Sequence, residues 1–398
     1  MSRRRRRNTG LKIILFIVIV CVTTGVIYWK MEPVTDKIRN IVNEKSSIPF
    51  TENTIEESAV ATQYYYQQLS EDEKIVYKEI LQGVQEEQGE IYLHTTAADR
   101  VGAVYTSVIY DFPELFWCTG EASTTSYNDY SVMQPLYACT GETREQMKAG
   151  IEQAADVCIS GMDPNAGTYD KVKYIYEYIV NTTDYDINAE YSQNIYSVLV
   201  NKVSVCAGYS RTMQYLLQKC GIEGMYVTGV INETMEAHAW NIVNCDGGYY
   251  QVDVTWGDPV FLQQEEDTAQ PESNINYDYL CCTDSEIYKT HTVDTEVVFP
   301  ACTSMAYNYY ILNGMYYDTF DADICLNAMN DTIYSGGPQT VFKFANDEVY
   351  HQAHDMIIND LLQRAAQNLL QNYGLMQTNS SYIDDPQMDK IVIMWSYQ

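Results

Sequence analysis

Apolar positions recur at helical spacing through the first half of this chain. Ser70-Glu71-Asp72-Glu73 has the form of a capping box, and Val76, Ile80, Leu81 and Val84 follow at three- and four-residue intervals. The first folded element is therefore expected at Ser70. Val101, Val104, Tyr105, Val108 and Ile109 fit i, i+3, i+4, i+7, i+8, and Asp111-Phe112-Pro113 should stop that helix, because a residue before proline is pushed out of the helical region. A third helix is predicted from about Arg144 to Ser160. A fourth runs from Asp170 to about Val180, burying Val172, Ile175, Tyr176 and Ile179. A fifth carries Met213, Leu216 and Leu217 and should end at Gly221.

The period then shortens. Residues 225–231 (MYVTGVI), 238–245 (HAWNIVNC) and 249–256 (YYQVDVTW) read as strands, the last two joined at Asp246-Gly247-Gly248, a strong hairpin signal. Beyond Pro300, residues 339–344 read as a strand, 349–373 as a helix with Ile357, Leu361, Leu362, Ala365 and Leu369, and 391–395 as a last strand. Helices and strands mixed in this way predict an α+β fold with no internal repeat.

The N-terminus obeys a different rule. Arg3 to Arg7 precede a stretch from Ile13 to Trp29 with no charged residue, seventeen residues in all. That is the short end of the ~17–25 that cross a bilayer as a helix, and a basic flank stays in the cytoplasm. No Ala-x-Ala-like exit stands near residues 23–30, so an uncleaved anchor is expected rather than a signal peptide. The chain divides into a basic cytoplasmic tail (1–10), a single-pass membrane anchor (11–29), a polar stalk (30–60), a mainly helical region (61–160), a middle region (161–300) and a C-terminal α/β segment (301–398).

Charge narrows the partners. Lys and Arg number 24 against 54 Asp and Glu, a net of −30, and six of the basic residues lie in the first twelve positions. So acidic a body repels phosphate backbones, which argues against nucleic acid. Hydrophobic residues at 46% and charged residues at 20% exclude wholesale disorder.

Three residues stand out for chemistry. Cys206, in NKVSVCAGYSR, falls where a loop turns into a helix; His238, in EAHAWN, begins a strand; Asp253, in YQVDVTW, falls on the next. A cysteine at a helix N-terminus faces the positive end of the dipole and unpaired N–H groups, which favour thiolate and can receive an oxyanion. A nearby histidine can hold the thiol proton, and a carboxylate can fix its tautomer. If the hairpin turn is Asp246-Gly247, Cys245 pairs with Gly248 and His238 faces Thr255. Asp253 then lies two residues away on the same face, within ~7–8 Å. Asp258, before Pro259, reads as a turn residue whose loss should be mild.

The sequence words resemble the transglutaminase-like superfamily of papain-related thiol enzymes. Val205-Cys206-Ala207-Gly208-Tyr209, His238-Ala239-Trp240-Asn241 and Asp253-Val254-Thr255-Trp256 look like its nucleophile, histidine and aspartate words. Tyr174 to Tyr185 and Ser192 to Tyr196 resemble its lead-in helices. Asp111 to Trp117 and Asn276 to Tyr279 resemble the flanks of bacterial surface members. The core match covers about Tyr169 to Pro259, and the family's frequent glycine two residues before the nucleophile is here Ser204.

The resemblance implies a nucleophile helix packed on an antiparallel sheet, with Cys206, His238 and Asp253 as a catalytic triad. It implies an acyl-enzyme on Cys206 formed from a peptide or glutamine amide, and no cofactor or metal. Substrates would be proteins or peptides, with cell-wall peptides among them, met outside the cell. A cysteine peptidase or amidase is the first reading, a cross-linking transglutaminase the second, and a silent binding or scaffold module on the same fold the third. Gln193, Asn194 and Tyr196 are candidates by position for a second oxyanion donor.

Other features carry less. His351 and His354 are spaced i, i+3 on a predicted helix without further metal ligands nearby, so a solvated face is expected. Trp240 and Trp256 read as strand-packing aromatics. No GxxxxGK[ST], GxGxxG or GxSxG occurs. Of eleven cysteines ten follow the apolar run, and setting Cys206 aside leaves an odd number, so they cannot all pair within one chain. Most should behave as small buried hydrophobes.

Overall fold

The computed structural model describes residues 48–258, 275–374 and 379–397. The apolar run expected to cross the bilayer lies outside the described residues. Among those described, no helix is long and apolar enough to cross a membrane.

Folding begins before Ser70. Two one-turn helices, α1 (Glu57–Val60) and α2 (Tyr64–Gln67), precede α3 (Glu71–Gln85). Val60 is fully buried, and the N–H groups of Tyr65 and Tyr66 each donate to the buried Asp111 carboxylate at 2.9 Å. Four-residue helices are too short to show a period, which is why the polar stretch around them reads as linker. The expected capping box opens α3: the Ser70 hydroxyl accepts from the Glu73 N–H, and the Glu73 carboxylate accepts from the Ser70 N–H.

The next helix, α4 (Ala98–Asp111), stops at Phe112 as the proline signal requires. The region is not only helical. β1 (Ile91–Leu93), β2 (Cys118–Ser126) and β3 (Ser131–Tyr137) form an antiparallel sheet in the order β1-β3-β2. The β2 sequence CTGEASTTS has no apolar alternation and is mostly solvent-facing, so periodicity could not reveal it.

The middle region builds the site. α5 (Gly141–Ser160) and α6 (Thr168–Thr182) lead into β4 (Asp184–Tyr185), which pairs in parallel with β5 (Val203–Ser204). The chain then enters α7 (Cys206–Lys219), buried from Ala207 to Leu217 and packed on the sheet β8-β7-β6-β9. In that sheet β6 is Gly224–Ile231, β7 Ala237–Cys245, β8 Gly248–Val252 and β9 His291–Val293, all antiparallel to their neighbours.

The hairpin register is the expected one. Asp246 and Gly247 have φ of +53° and +89°, the left-handed pair of a two-residue turn, and Cys245 sits opposite Gly248. The third strand, however, is shorter than its sequence suggests. Pairing ends at Asn241 and Val252, and residues 254–257 form the short helix α8 (Val254–Gly257). His238 therefore does not face Thr255, and Asp253 is not a strand residue. Val, Thr and Trp have strand propensity, but Asp253 caps the first turn of a helix, accepting from the N–H groups of Thr255 and Trp256, and the cap prevails.

After α9 (Asp284–Ile287), β9 and α10 (Tyr309–Leu312), the C-terminal segment folds around its own apolar core, including Phe342, Phe344, Ile357, Leu361, Ile391, Ile393 and Trp395. β10 (Tyr316–Tyr317), β11 (Gln339–Phe344), β12 (Asn379–Asp385) and β13 (Lys390–Ser396) form a sheet in the order β10-β11-β13-β12. α11 (Ala322–Ser335), α12 (Asp347–Met356) and α13 (Leu362–Tyr373) complete it, the last two continuous through a π turn at Ile357–Leu361. The segment is tied to the middle region by charge. Buried Asp278 pairs with the ammonium groups of Lys390 and Lys343, and Lys289 meets Asp389 at 2.5 Å. The ten cysteines from Cys118 to Cys325 are free thiols, seven of them buried.

Candidate functional site

The thiol end of the site is set by close packing behind it. Val205 is extended, and Cys206 is the first helical residue of α7 and half-buried. A Cβ on Gly208 would stand 2.0 Å from the Ser204 hydroxyl and 2.7 Å from the Ser192 carbonyl, so only glycine lets the preceding loop lie this close. Ser204 itself holds that loop: its hydroxyl donates to the Ser192 carbonyl at 2.9 Å and lies 2.6 Å from the Ser197 hydroxyl. Where a glycine would leave this space empty, serine fills it with hydrogen bonds.

The helix is fastened to the sheet by the words around the other two residues. Ser210 donates to the Ala239 carbonyl at 2.8 Å, and the Asn241 amide donates to the carbonyls of Ser210 (3.0 Å) and Met225 (3.2 Å). Trp240, wholly buried, donates its indole N–H to Gln251 at 2.8 Å. These contacts bring the start of α7 to the start of β7.

There the three residues meet. His238 Nε2 lies 2.7 Å from Asp253 Oδ2, and the Cys206 side chain lies near enough to help raise the His238 ring's pKa. Since Nε2 is taken by the carboxylate, Nδ1 is the ring nitrogen left for the thiol. Asp253 is 0% exposed. Its Oδ1 accepts from Thr255 N–H at 2.9 Å and Trp256 N–H at 3.2 Å, and its backbone N–H donates to Tyr279. Burial alone would push His238 toward its neutral form, but the Asp253 charge and hydrogen bond, with Cys206 nearby, outweigh it and raise the ring to about 10. Burial would likewise raise Asp253, yet the His238 charge and the two imidazole hydrogen bonds hold it well below the usual carboxylate range. The arrangement can carry a proton from sulfur on an imidazole whose opposite edge is anchored.

A second histidine shares the anchor. His291 Nε2 lies 3.0 Å from the same Asp253 Oδ2, and its Nδ1 lies 2.7 Å from the Thr290 hydroxyl. Local sequence offers almost no sign of it. His291 is 38 residues from Asp253, on a three-residue edge strand too short for an alternation signal. The hint that was available is a histidine between two threonines, strand-forming residues, just beyond the core words. The ligand atoms of His238, Asp253 and His291 lie within 4.8 Å of one another, a donor set of the kind that holds a transition metal. Both Nε2 atoms, however, are already engaged with one carboxylate oxygen, so a metal there would have to displace both hydrogens.

The remaining sequence candidates scatter. Asn194 is buried and spent: its amide donates to the Phe116 carbonyl at 3.0 Å and accepts from the Tyr196 N–H at 2.9 Å, so it is not available to an oxyanion. The Tyr196 ring packs against Tyr191 and reaches Gly150 on α5. Gln193 is exposed. Asp258 is not a surface turn residue; it is buried and accepts from the Tyr209 hydroxyl of α7 at 3.2 Å. His351 pairs with Asp347, and His354 with Asp355 and Asp384, on α12.

Comparison with known proteins points the same way for the core. Residues 155–254 match the family described as the transglutaminase-like superfamily. No curated protein matches the chain. Among solved structures, a TGase is 18% identical over 39% of this chain and 47% of its own, at a TM-score of 0.27. A candidate cysteine protease from Cytophaga hutchinsonii is 12% identical over 46% of this chain and 78% of its own, at 0.25. A candidate protease from Parabacteroides distasonis is 12% identical over 32% and 35%, at 0.21. The chain thus spans less than half of the TGase, and likenesses at this level carry no argument about activity.

Proposed function

We propose that this chain, whose residues 155–254 match the transglutaminase-like superfamily, is a thiol acyl-transfer enzyme acting on peptide or glutamine amide bonds, with Cys206, His238 and Asp253 as its catalytic residues. The observation that carries this reading is the buried His238–Asp253 pair beside the half-exposed Cys206 thiol, which helps to raise the His238 ring's pKa.

In the proposed reaction the Cys206 sulfur attacks the amide carbonyl carbon while His238 holds the thiol proton. The negative oxygen of the tetrahedral intermediate is received by N–H groups in the first turn of α7, which have no partner within the helix. Exposed Gln193 remains the positional candidate for a second donor. His238 then gives its proton to the leaving amine as the carbon–nitrogen bond breaks, leaving a thioester on Cys206. Water resolves the thioester in a peptidase or amidase, the reading we favour; a second amine would resolve it in a transglutaminase.

The arginine block and the charge-free run Ile13–Trp29 support placement of the N-terminus in the cytoplasm and the folded part outside the cell, facing cell-wall or other extracellular peptides. Protease added to intact cells should then digest the folded part, and its full protection would contradict this placement.

The test of function is mass spectrometry of the purified chain after incubation with glutamine-containing peptides, with and without a primary amine. An acyl adduct on Cys206 with peptide release supports hydrolysis, and amine incorporation supports transfer. No adduct and no product from a broad peptide set, with Cys206 intact, would contradict the proposal.

A further inference from the structure

The aspartate of the site is held by more than the site requires. Asp253 accepts four hydrogen bonds, two backbone N–H on Oδ1 and two imidazole Nε2 on Oδ2. An ionised carboxylate has about four acceptor positions, so every one is filled. His238 accounts for one. His291 accounts for another, and the mechanism above gives it no task.

The placement of His291 is built rather than incidental. β9 pairs with the edge of β6, setting His291 opposite Ile231, while β7 sets His238 opposite Gly229. Ile231 and Gly229 are two apart on β6, so both imidazoles stand on one face of the sheet. His291 is 1% exposed and boxed by the rings of Trp240, Trp256 and Tyr279 at 4.9–5.7 Å. Its Nδ1 meets the Thr290 hydroxyl, itself buried beside the Ile287 carbonyl and the Tyr279 hydroxyl. A ring so confined has one orientation, with Nε2 on Asp253.

We propose that His291 is a positioning residue for the proposed reaction: its Nε2–H, fixed by Thr290 and the aromatic box, pins Asp253 Oδ2 where it must lie to orient His238 toward Cys206. This inference rests on the reading of Cys206, His238 and Asp253 as an activated thiol system. A wholly buried carboxylate that loses one of four donors is harder to keep charged and freer to turn. The imidazolium of His238 then has a poorer partner, and the ring is held less firmly toward Cys206. The phenols of Tyr176, Tyr185 and Tyr279 also act on Asp253; burial pushes them upward, so they stay neutral under the conditions of the test.

The test needs no substrate. Iodoacetamide labelling of Cys206 is followed by peptide mass at pH 6 in the full chain and in His291→Met, His291→Gln, Asp253→Asn and Asp253→Asn/His291→Met, with thermal unfolding of each. His291→Met should slow labelling about tenfold, the scale of one hydrogen bond to a charged group. His291→Gln, which can still offer an amide N–H, should recover most of that loss. In the Asp253→Asn background His291→Met should add nothing, which a packing role would not produce. If His291→Met loses its cooperative unfolding transition, Thr290→Val decides: freeing Nδ1 should slow labelling about threefold. Labelling equal to wild type in His291→Met, no recovery in His291→Gln, a further loss in the double variant or, failing His291→Met, no slowing in Thr290→Val would each overturn the inference alone. A wild-type Cys206 no faster than in His238→Ala would overturn the underlying reading together with it.

Discussion

Asp253 reaches His238 from the N-cap of a one-turn helix: the carboxylate that closes on Nε2 at 2.7 Å with one oxygen caps Thr255 and Trp256 with the other. Capping and orienting are thus one act of one side chain. Asp253→Asn would keep the shape of the cap but put an amide against the imidazole and lose the charge. The equivalent change in a serine protease costs about 10⁴-fold in turnover. A loss of at least about 10²-fold in Cys206 labelling or in any turnover found is expected, in a variant that still unfolds cooperatively but less stably than wild type. Near-normal activity would remove Asp253 from the mechanism.

The pH dependence of stability should carry the mark of the same pair. His238 is raised on folding from 6.5 to about 10. A group raised on folding stabilises fully below its unfolded pKa and loses that contribution as pH climbs through the folded value. Wild type should therefore lose stability between about pH 6.5 and 10, and His238→Gln should lack this slope. Asp253, held below its ordinary 3.8, acts in the opposite sense, its contribution present above that value and lost in strong acid. Urea midpoints at pH 6, 8 and 10 check the first claim, and parallel curves for the two proteins would contradict it.

Gly208→Ala tests the packing behind the thiol. The added Cβ would press on the Ser204 hydroxyl and the Ser192 carbonyl, and the second is backbone that cannot swing away. A loss of about 1–3 kcal/mol in stability is expected, the range for overpacking, together with slower Cys206 labelling as the loop shifts. Chemical unfolding of the variant with unchanged stability would show that the loop yields freely.

Asp258→Ala should not be mild. It strips a buried acceptor from Tyr209, which also donates to the Thr183 carbonyl and stands three residues from Cys206. A loss of about 1–3 kcal/mol is expected by thermal or urea unfolding, with the labelling rate of the folded fraction changed less than by Asp253→Asn.

Much of this arrangement is legible in the sequence because it is local. The Asp246-Gly247 turn and the apolar alternation specify the β7–β8 register, and the capping box and helical spacing specify α3. What escapes is decided by other rules. Val254-Thr255-Trp256 has strand propensity, but the capping aspartate before it turns the chain into a helix. β12, with the sequence NSSYIDD, is a polar edge strand with no alternation to read. His291 matters only through a partner 38 residues away. Ser204, which departs from the family's frequent glycine, is explained only when Ser192 and Ser197 are seen against it.

The central claim is an activated thiol at Cys206, and α7 contains its own control. Cys220 caps the far end of the same helix, is half-buried like Cys206, and burial pushes its thiol upward. Competitive iodoacetamide labelling of the native chain at pH 6, read by peptide mass, compares the two directly. Cys206 should be labelled at least about tenfold faster than Cys220, and His238→Ala should abolish the difference. Equal labelling of Cys206 and Cys220 in the wild-type protein would contradict it.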